Sequence, residues 1–248
     1  MSIVALGSMG TTRAHSSGTT LSLQNILAAA AGNLVILAIA KRNSGAADGP
    51  VQEVIAVEDG GRNGWMRLAE HSNSNSAAGA GIVTSLWASV LSAPIPAHSR
   101  TVPSLITMTF DAAVTGKVAG AYLFSMGAAN TVVHAAASLY EVVDGTNWGA
   151  LTFAAALPSA EYLTIRTVGL KASAAGGESV TPTWTQLVKY NTNGTSDVDV
   201  SVWAEFIIAT STGEASSVSS GVTKDNVSVA VALQEYVVPS EQFLVHSL

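Results

Sequence analysis

Apolar and polar residues alternate with a period of two along several parts of this chain. In the segment 196–203, SDVDVSVW, three valines point to one side, while two aspartates and a serine point to the other. The segments 226–231 and 106–110 alternate in the same way. This period predicts strands with one buried face and one face in water, and it places Asp197 and Asp199 on the wet face.

Turn signals separate these segments. Asn or Asp is followed by Gly at 48–49, 59–60, 63–64, 144–145 and 193–194, and such pairs are typical of hairpin turns. The segments between the turns are rich in Val, Ile, Thr, Leu and aromatic residues, which favour strands. The predicted strands are Thr19–Leu23, Leu34–Arg42, Gln52–Glu58, Trp65–Ser72, Ile82–Leu91, Ser104–Phe110, Val118–Ser125, Tyr162–Lys171, Thr183–Val188, Val198–Ile208 and Val227–Tyr236.

One predicted strand differs from the rest because Leu34–Ala40 is apolar at every position. This pattern predicts a central strand that is covered on both faces, either by a second sheet and a loop or by a neighbouring subunit. Helical signals are scarce. We interpret Ala28–Ala31 as a turn between strands, whereas Asn130–Tyr140 is ambiguous and fits a short helix.

The 248 residues are therefore predicted to form an all-β protein, built as a single antiparallel β-sandwich over residues 19–248. Runs of small residues are interpreted as loops rather than domain linkers, because strand patterning resumes after each of them. Residues 1–18 are predicted to be an N-terminal arm.

Charge changes this picture by limiting the classes of partner. Only 11% of residues are charged, with 11 Lys or Arg against 17 Asp or Glu, whereas roughly 25% is usual for soluble domains. Nucleic-acid binding is disfavoured because it needs clusters of Lys and Arg. Disorder is disfavoured because it needs low hydrophobicity and high charge. The chain has no cysteine, which excludes disulfides, thiolate metal sites and a cysteine nucleophile.

No membrane partner is expected either. The most apolar stretch, 26–40, is interrupted by Gly and Asn, and it is shorter than the ~20 residues of a membrane-spanning helix. The segment 1–10 lacks the basic start of a secretory signal.

Several strand and turn segments, taken in order, resemble a known family. They are TTLSL (19–23), GNLVILAIA (32–40), GWMRL (64–68), SLWA (85–88), ITMTF (106–110), VTGKV (114–118) and LPSAEYL (157–163). In this order they resemble the β-sandwich structural proteins that are encoded in the morphogenesis regions of tailed bacteriophages. The resemblance extends over residues 15–236.

This resemblance implies a jelly-roll-like sandwich in a virion protein that is assembled in the host cytoplasm. Together with the all-β pattern and the sparse charge, it leads us to expect capsid decoration, in which a homo-oligomer, with a trimer favoured, binds the major capsid protein on the outer surface of the shell. The alternative is a tail or fibre component that binds host surface glycans. The family pattern carries no catalytic residues and no cofactor.

Histidines are the usual acid, base or ligand near neutral pH. The five histidines lack the spacing that would place two imidazoles on one face of a strand or helix. We expect structural or surface roles for all of them: His15, His71, His98, His134 and His246.

Acidic residues offer a second chemistry. Calcium could be bound by the carboxylates within 53–59 or by the pair at 197 and 199, but no dense acidic loop is present. Glycosidase chemistry needs two paired carboxylates, such as Glu141 with Asp144, or Glu205 opposite another acid. Nothing in the sequence selects a pair, and no G-x-S-x-G motif occurs. We therefore predict no enzyme, no cofactor and no metal site.

Tryptophans are candidate ligand contacts. Trp87 and Trp203 lie within strand patterns and are expected to pack in the core. Trp65 follows Asn63-Gly64 and Trp148 follows Asp144-Gly145, so both are predicted to lie near loops and could stack on a sugar.

A proline-containing stretch supplies the other candidate contacts. Pro94, Ile95 and Pro96 cannot continue a central strand, because proline lacks the ladder donor. We expect a connection at the rim of the sandwich, with an interaction loop as the alternative. Many outward positions of the predicted strands hold Ser, Thr or Ala, which can contact another protein without burying an unpaired charge.

Overall fold

The structure, a computed structural model, describes residues 3–43, 53–73, 81–127, 130–151, 153, 157–171, 183–192, 199–211 and 216–236. Within these ranges the chain forms thirteen strands and no helix, and every pair of neighbouring strands is antiparallel. The predicted all-β sandwich is confirmed. Each of the eleven predicted strands overlaps an observed strand, and two observed strands were not predicted.

The strands are numbered in chain order. They are β1 (Val4–Ala14), β2 (Gly18–Gln24), β3 (Leu34–Asn43), β4 (Val54–Asp59), β5 (Met66–Asn73), β6 (Gly81–Val90), β7 (Leu105–Val114), β8 (Lys117–Ser125), β9 (Asn130–Leu151), β10 (Ala160–Leu170), β11 (Thr185–Asn191), β12 (Ser201–Ser211) and β13 (Ser216–Tyr236).

These strands form three sheets. The central sheet has the order β1-β8-β3-β6-β5, the small sheet β2-β7-β4, and the C-terminal sheet β11-β12-β10-β13-β9. The pairs β1·β8, β2·β7 and β3·β6 are nested in the sequence, which is the pairing of a jelly roll. A complete jelly roll would also pair β4 with β5. Here β5 instead pairs with β6 at the edge of the central sheet.

Strand β3 lies in the middle of the central sheet and is buried on both faces. Every second residue from Leu34 to Ala40 packs in the core shared with the C-terminal sheet. The alternate residues, from Val35 to Ile39, pack in a second core shared with the small sheet. The predicted burial of both faces is confirmed, and both covering layers are sheets of the same chain.

Residues of the predicted N-terminal arm form β1, which pairs with β8 along its length. Gly7 and Gly10 have φ of 133° and 128°, and the register of β1 shifts beside each of them. Lys117, the first residue of β8, lies beside the corner that follows β1. Its ammonium donates hydrogen bonds to the carbonyl oxygens of Ser16, Gly18 and Val114, at 3.0, 3.2 and 2.8 Å. These bonds fix the corner between β1 and β2.

Strand β9 is the other element that the sequence did not predict. It contains Asn130–Tyr140, so the short-helix interpretation of that segment is wrong. Pairing with β13 outweighs the helix propensity of the alanines at 135–137. Trp148 also lies within β9 rather than beside a loop.

The central and C-terminal sheets approach closely at Gly120. A Cβ added there would lie 2.6 and 2.7 Å from the two Val188 methyl groups and 3.3 Å from Thr11 Cγ2. We expect Gly120→Ala to lower the free energy of unfolding by about 1–3 kcal/mol, because the two sheets would have to move apart. Denaturant unfolding measures this loss.

Gly64→Ala is the matched control, since a Cβ at Gly64 would meet no atom within 4 Å. Equal stability losses in the two variants would contradict the packing argument.

Candidate binding surfaces

Asn63 joins two segments that are distant in the sequence, the β4–β5 loop and the segment after β6. Its Oδ1 accepts hydrogen bonds from Ser92 N and Oγ, at 2.8 and 3.1 Å, and from Ala93 N at 2.8 Å. Its Nδ2 donates to Ala93 O at 3.1 Å and to Asp59 Oδ1 at 3.0 Å. The structure therefore brings the surroundings of Trp65 and of Pro94 together at one end of the jelly roll.

The Trp65 side chain is held by the same network. Its Nε1 donates a hydrogen bond to Asp59 Oδ2 at 2.7 Å, and its half-buried ring packs against the core of the small sheet. The indole N–H is thus used internally, and only part of the ring is available to a ligand. The Trp148 side chain lies outside the described residues.

The segment 94–96 connects strands at the rim of the sandwich. Ile95 is fully buried and exchanges two backbone hydrogen bonds with Ala29, at 2.8 and 2.9 Å. Pro94 and Pro96 are exposed on either side of it, and the Asn25 amide donates to the Pro96 carbonyl oxygen. Ile95 is thus an anchor, and the two prolines are the exposed residues of this connection.

A cavity of about 390 Å³ lies beside this network, lined by Val57, Glu58, Asp59, Arg62 and Asn63. Arg62 has φ of 54°, a left-handed conformation that is uncommon for residues other than glycine. Glu58 and Arg62 are exposed, whereas Asp59 is occupied by Asn63 and Trp65. The cavity can offer hydrogen bonds and both signs of charge to a small polar ligand.

Three of the acidic residues that were considered for calcium, Glu53, Asp59 and Asp199, contact protein groups. Glu58 is exposed, and Asp197 lies outside the described residues. Arg67 Nη1 lies 3.4 Å from Glu53 Oε2 and 3.0 Å from Glu70 Oε1. Burial raises the pKa of Glu70, against the opposing charges of Arg67 and Lys41. Among the described residues, no group of three or more His, Asp or Glu side chains is placed to hold a metal ion.

The predicted exposure of Asp199 is wrong, because its side chain is 2% exposed. Thr192 Oγ1 donates a hydrogen bond to Asp199 Oδ1 at 3.0 Å, and His15 Nε2 lies 3.3 Å from the same oxygen. Val200 and Val202 pack in the core, but Ser201 and Trp203 on the alternate side are buried as well, which alternation alone does not reveal.

Glu205, which was considered opposite another acid, has no acid opposite it on either neighbouring strand, and the side chains of Glu141 and Asp144 lie outside the described residues. Glu205 lies directly opposite Arg166 on the neighbouring strand, and both are fully buried. Burial lowers the pKa of Arg166 to about 10, against the opposing effect of Glu205. Trp203, two residues away, is 2% exposed and Trp87 is 7% exposed, so the prediction that these two tryptophans are buried is confirmed. Trp203, however, packs with Val168 and Leu170 rather than with Val200 and Val202.

The outer face of the small sheet carries mostly uncharged side chains, which are exposed on β2 and half-buried at Thr107 and Thr109 of β7. In adjacent rows it presents Thr20 beside Thr109, then Ser22 beside Thr107, and then Gln24 beside Leu105. The hydroxyls of Ser22 and Thr107 lie 3.1 Å apart. Two exposed charged residues border these rows: Glu58, next to Thr107 on β4, and Asp111, two residues after Thr109 on β7. We call the rows of Thr, Ser and Gln between them the neutral face.

No protein-family model, curated protein or solved structure matches this chain. Within the part of the chain that the structure describes, no helix is long and apolar enough to cross a membrane.

Asn63→Ala is expected to lower the free energy of unfolding by about 3 kcal/mol, because five hydrogen bonds of a 6% exposed side chain are lost. Denaturant unfolding measures the change. Asn33→Ala, at a half-buried turn position, is the control. The loss must be clearly larger at Asn63 if that side chain holds the two segments together.

The buried side chain of Lys41 is expected to make the stability of the fold depend on pH. Burial lowers its pKa from 10.5 to about 8, against the attraction of Glu70, Asp111 and Glu53. At a pH between these two pKa values, Lys41 carries a proton in the unfolded chain but not in the folded chain. The free energy of unfolding therefore rises with pH in this range. The rise attributable to Lys41 is expected to be about 3 kcal/mol.

Chemical unfolding at pH 7.5 to 10.5 tests this, by comparing the native chain with Lys41→Met. The difference in the free energy of unfolding between these two chains should change across this pH range. Lys171→Met, at a partly exposed position, should instead give the same dependence of stability on pH as the native chain. Parallel profiles for the native chain and Lys41→Met would refute the assignment.

Proposed function

We propose that this protein is a non-enzymatic structural component of a tailed-bacteriophage virion, and that it decorates the outer surface of the capsid shell as a homo-oligomer. The observation that carries this proposal is the neutral face of the small sheet, with exposed Thr20, Ser22 and Gln24 beside half-buried Thr107 and Thr109. The nested jelly-roll pairing of β1 to β8 agrees with the family that the sequence resembles. A trimer is the expected oligomer, and the major capsid protein is the expected partner.

The physical argument concerns the cost of burying a surface. A protein interface excludes water, so an unpaired charge inside it is costly, whereas hydroxyl and amide groups can find hydrogen-bond partners. The rows at Thr20, Ser22 and Gln24 supply such groups on a regular sheet surface. Three of the carboxylates that were considered for calcium, Glu53, Asp59 and Asp199, are instead engaged with protein groups.

Co-sedimentation of the purified protein with undecorated phage shells tests the proposal. We expect binding that changes little between low and moderate salt, because contacts between neutral groups are weakly screened by ions. Thr20→Glu should weaken binding at least tenfold, because it places a charge on the neutral face.

Thr185→Glu, at an exposed position of β11, is the matched control and should bind as the native chain does. Absence of shell binding at every salt concentration, or equal loss in both variants, would overturn the proposal.

The second candidate function is glycan binding by a tail or fibre component. The observation that favours it is the cavity of about 390 Å³ at 57–63, beside the partly exposed Trp65 ring. Glycan-array binding that is lost in Trp65→Ala or Trp148→Ala, and kept in Met66→Ala, would support this function. Met66 is 54% exposed and adjoins Trp65, which makes it a suitable control.

A further inference from the structure

Asn63 is followed by Gly64, and this pair of residues has a chemistry of its own. In a peptide chain, the backbone nitrogen after an asparagine can attack Cγ of the asparagine side chain. Glycine leaves this attack unhindered, because it has no side chain and its backbone adopts many conformations. Asparagine is accordingly one of the thermally labile residues of proteins. The Asn63-Gly64 bond is therefore a candidate site of chemical modification.

The reaction replaces the amide of Asn63 by an acid in two steps. In the first step, Gly64 N forms a bond to Asn63 Cγ, the Cγ–Nδ2 bond breaks, and Nδ2 leaves as ammonia with the proton from Gly64 N. In the second step, water opens the cyclic imide. Opening at Cγ leaves an aspartate at position 63, whereas opening at the backbone carbonyl carbon leaves an isoaspartate. Water is the only other reactant.

The native fold restrains the groups on both sides of this bond. Five hydrogen bonds hold the Asn63 amide against Asp59 and the segment after β6. Ser89 Oγ donates a hydrogen bond to Gly64 O at 2.7 Å. Attack makes Cγ tetrahedral and expels Nδ2, so it disrupts the five bonds of a side chain that is 6% exposed. The reaction is therefore expected to be slow while these contacts are made.

The product does not fit the place that the asparagine occupied. Asn63 Nδ2 donates to Asp59 Oδ1 at 3.0 Å and to Ala93 O at 3.1 Å, and both of these partners are acceptors. A carboxylate oxygen in place of Nδ2 has no proton to donate to either of them. It also brings a second negative charge against the Asp59 carboxylate. An isoaspartate would in addition lengthen the backbone of the β4–β5 loop.

We propose that Asn63-Gly64 is a gated deamidation site, which is protected in the native fold and reacts when the β4–β5 loop separates from the segment after β6. Reaction during such an opening converts a reversible separation of the two segments into a permanent one. Asn63 also lines the cavity at 57–63, so the reaction adds a negative charge to that cavity. Neither shell binding nor glycan binding is needed for this chemistry, which is measured on the purified chain.

Peptide mass spectrometry of the full chain, incubated in mildly alkaline buffer with and without guanidinium chloride, tests the gating. The Asn63 amide should be lost at least tenfold more slowly in the folded chain than in the unfolded chain, because the folded chain has to open first. Equal rates of amide loss in the two states would overturn the proposal.

A variant that weakens the network should open the gate. Asp59→Ala removes the acceptor of both Asn63 Nδ2 and Trp65 Nε1, and it should speed amide loss in the folded chain severalfold. Asp111→Ala, at an exposed position of β7, is the matched control and should react as slowly as the native chain. Circular dichroism confirms that both variants fold.

Gly64→Ala separates this site from every other asparagine of the chain. A Cβ at Gly64 meets no atom within 4 Å, so this variant keeps the native contacts, while the methyl group hinders attack on Asn63. Both chains are incubated in guanidinium chloride and then refolded. The native sequence should afterwards unfold at a lower denaturant concentration than Gly64→Ala, which has lost the same amides elsewhere. Equal unfolding midpoints, with Asn63 converted in only one chain, would overturn the permanent separation.

Discussion

The fold depends on the need to cover both faces of the central sheet. Seven consecutive apolar residues, Leu34–Ala40, are at most 1% exposed. A strand of this kind cannot border water, so the small sheet and the C-terminal sheet have to lie on opposite sides of it. Gly120 and Gly169 allow the C-terminal sheet to approach, since a Cβ at either position would lie within 3.3 Å of neighbouring side chains. The small sheet supplies one covering layer, and the C-terminal sheet supplies the other.

This layering also determines where the few charges lie. Four charged strand residues are each at most 1% exposed: Lys41, Lys117, Arg166 and Glu205. Two of the buried cations have oxygen atoms beside them. Three backbone carbonyls surround the Lys117 ammonium, and Glu205 lies opposite Arg166. A chain with 11% charged residues that keeps several of them inside has few left for its surface. The neutral outer face of the small sheet follows from this distribution.

The sequence predicted those parts of the fold that depend on local pattern. Alternation and turn pairs located eleven strands, but β1 was missed because its glycines shift the register and interrupt the period of two. Strand β9 was missed because alanine residues favour a helix until a partner strand is present. The site was less predictable. Trp65 and the prolines were proposed separately, and Asn63, through contacts 29 and 30 residues away, brings them together.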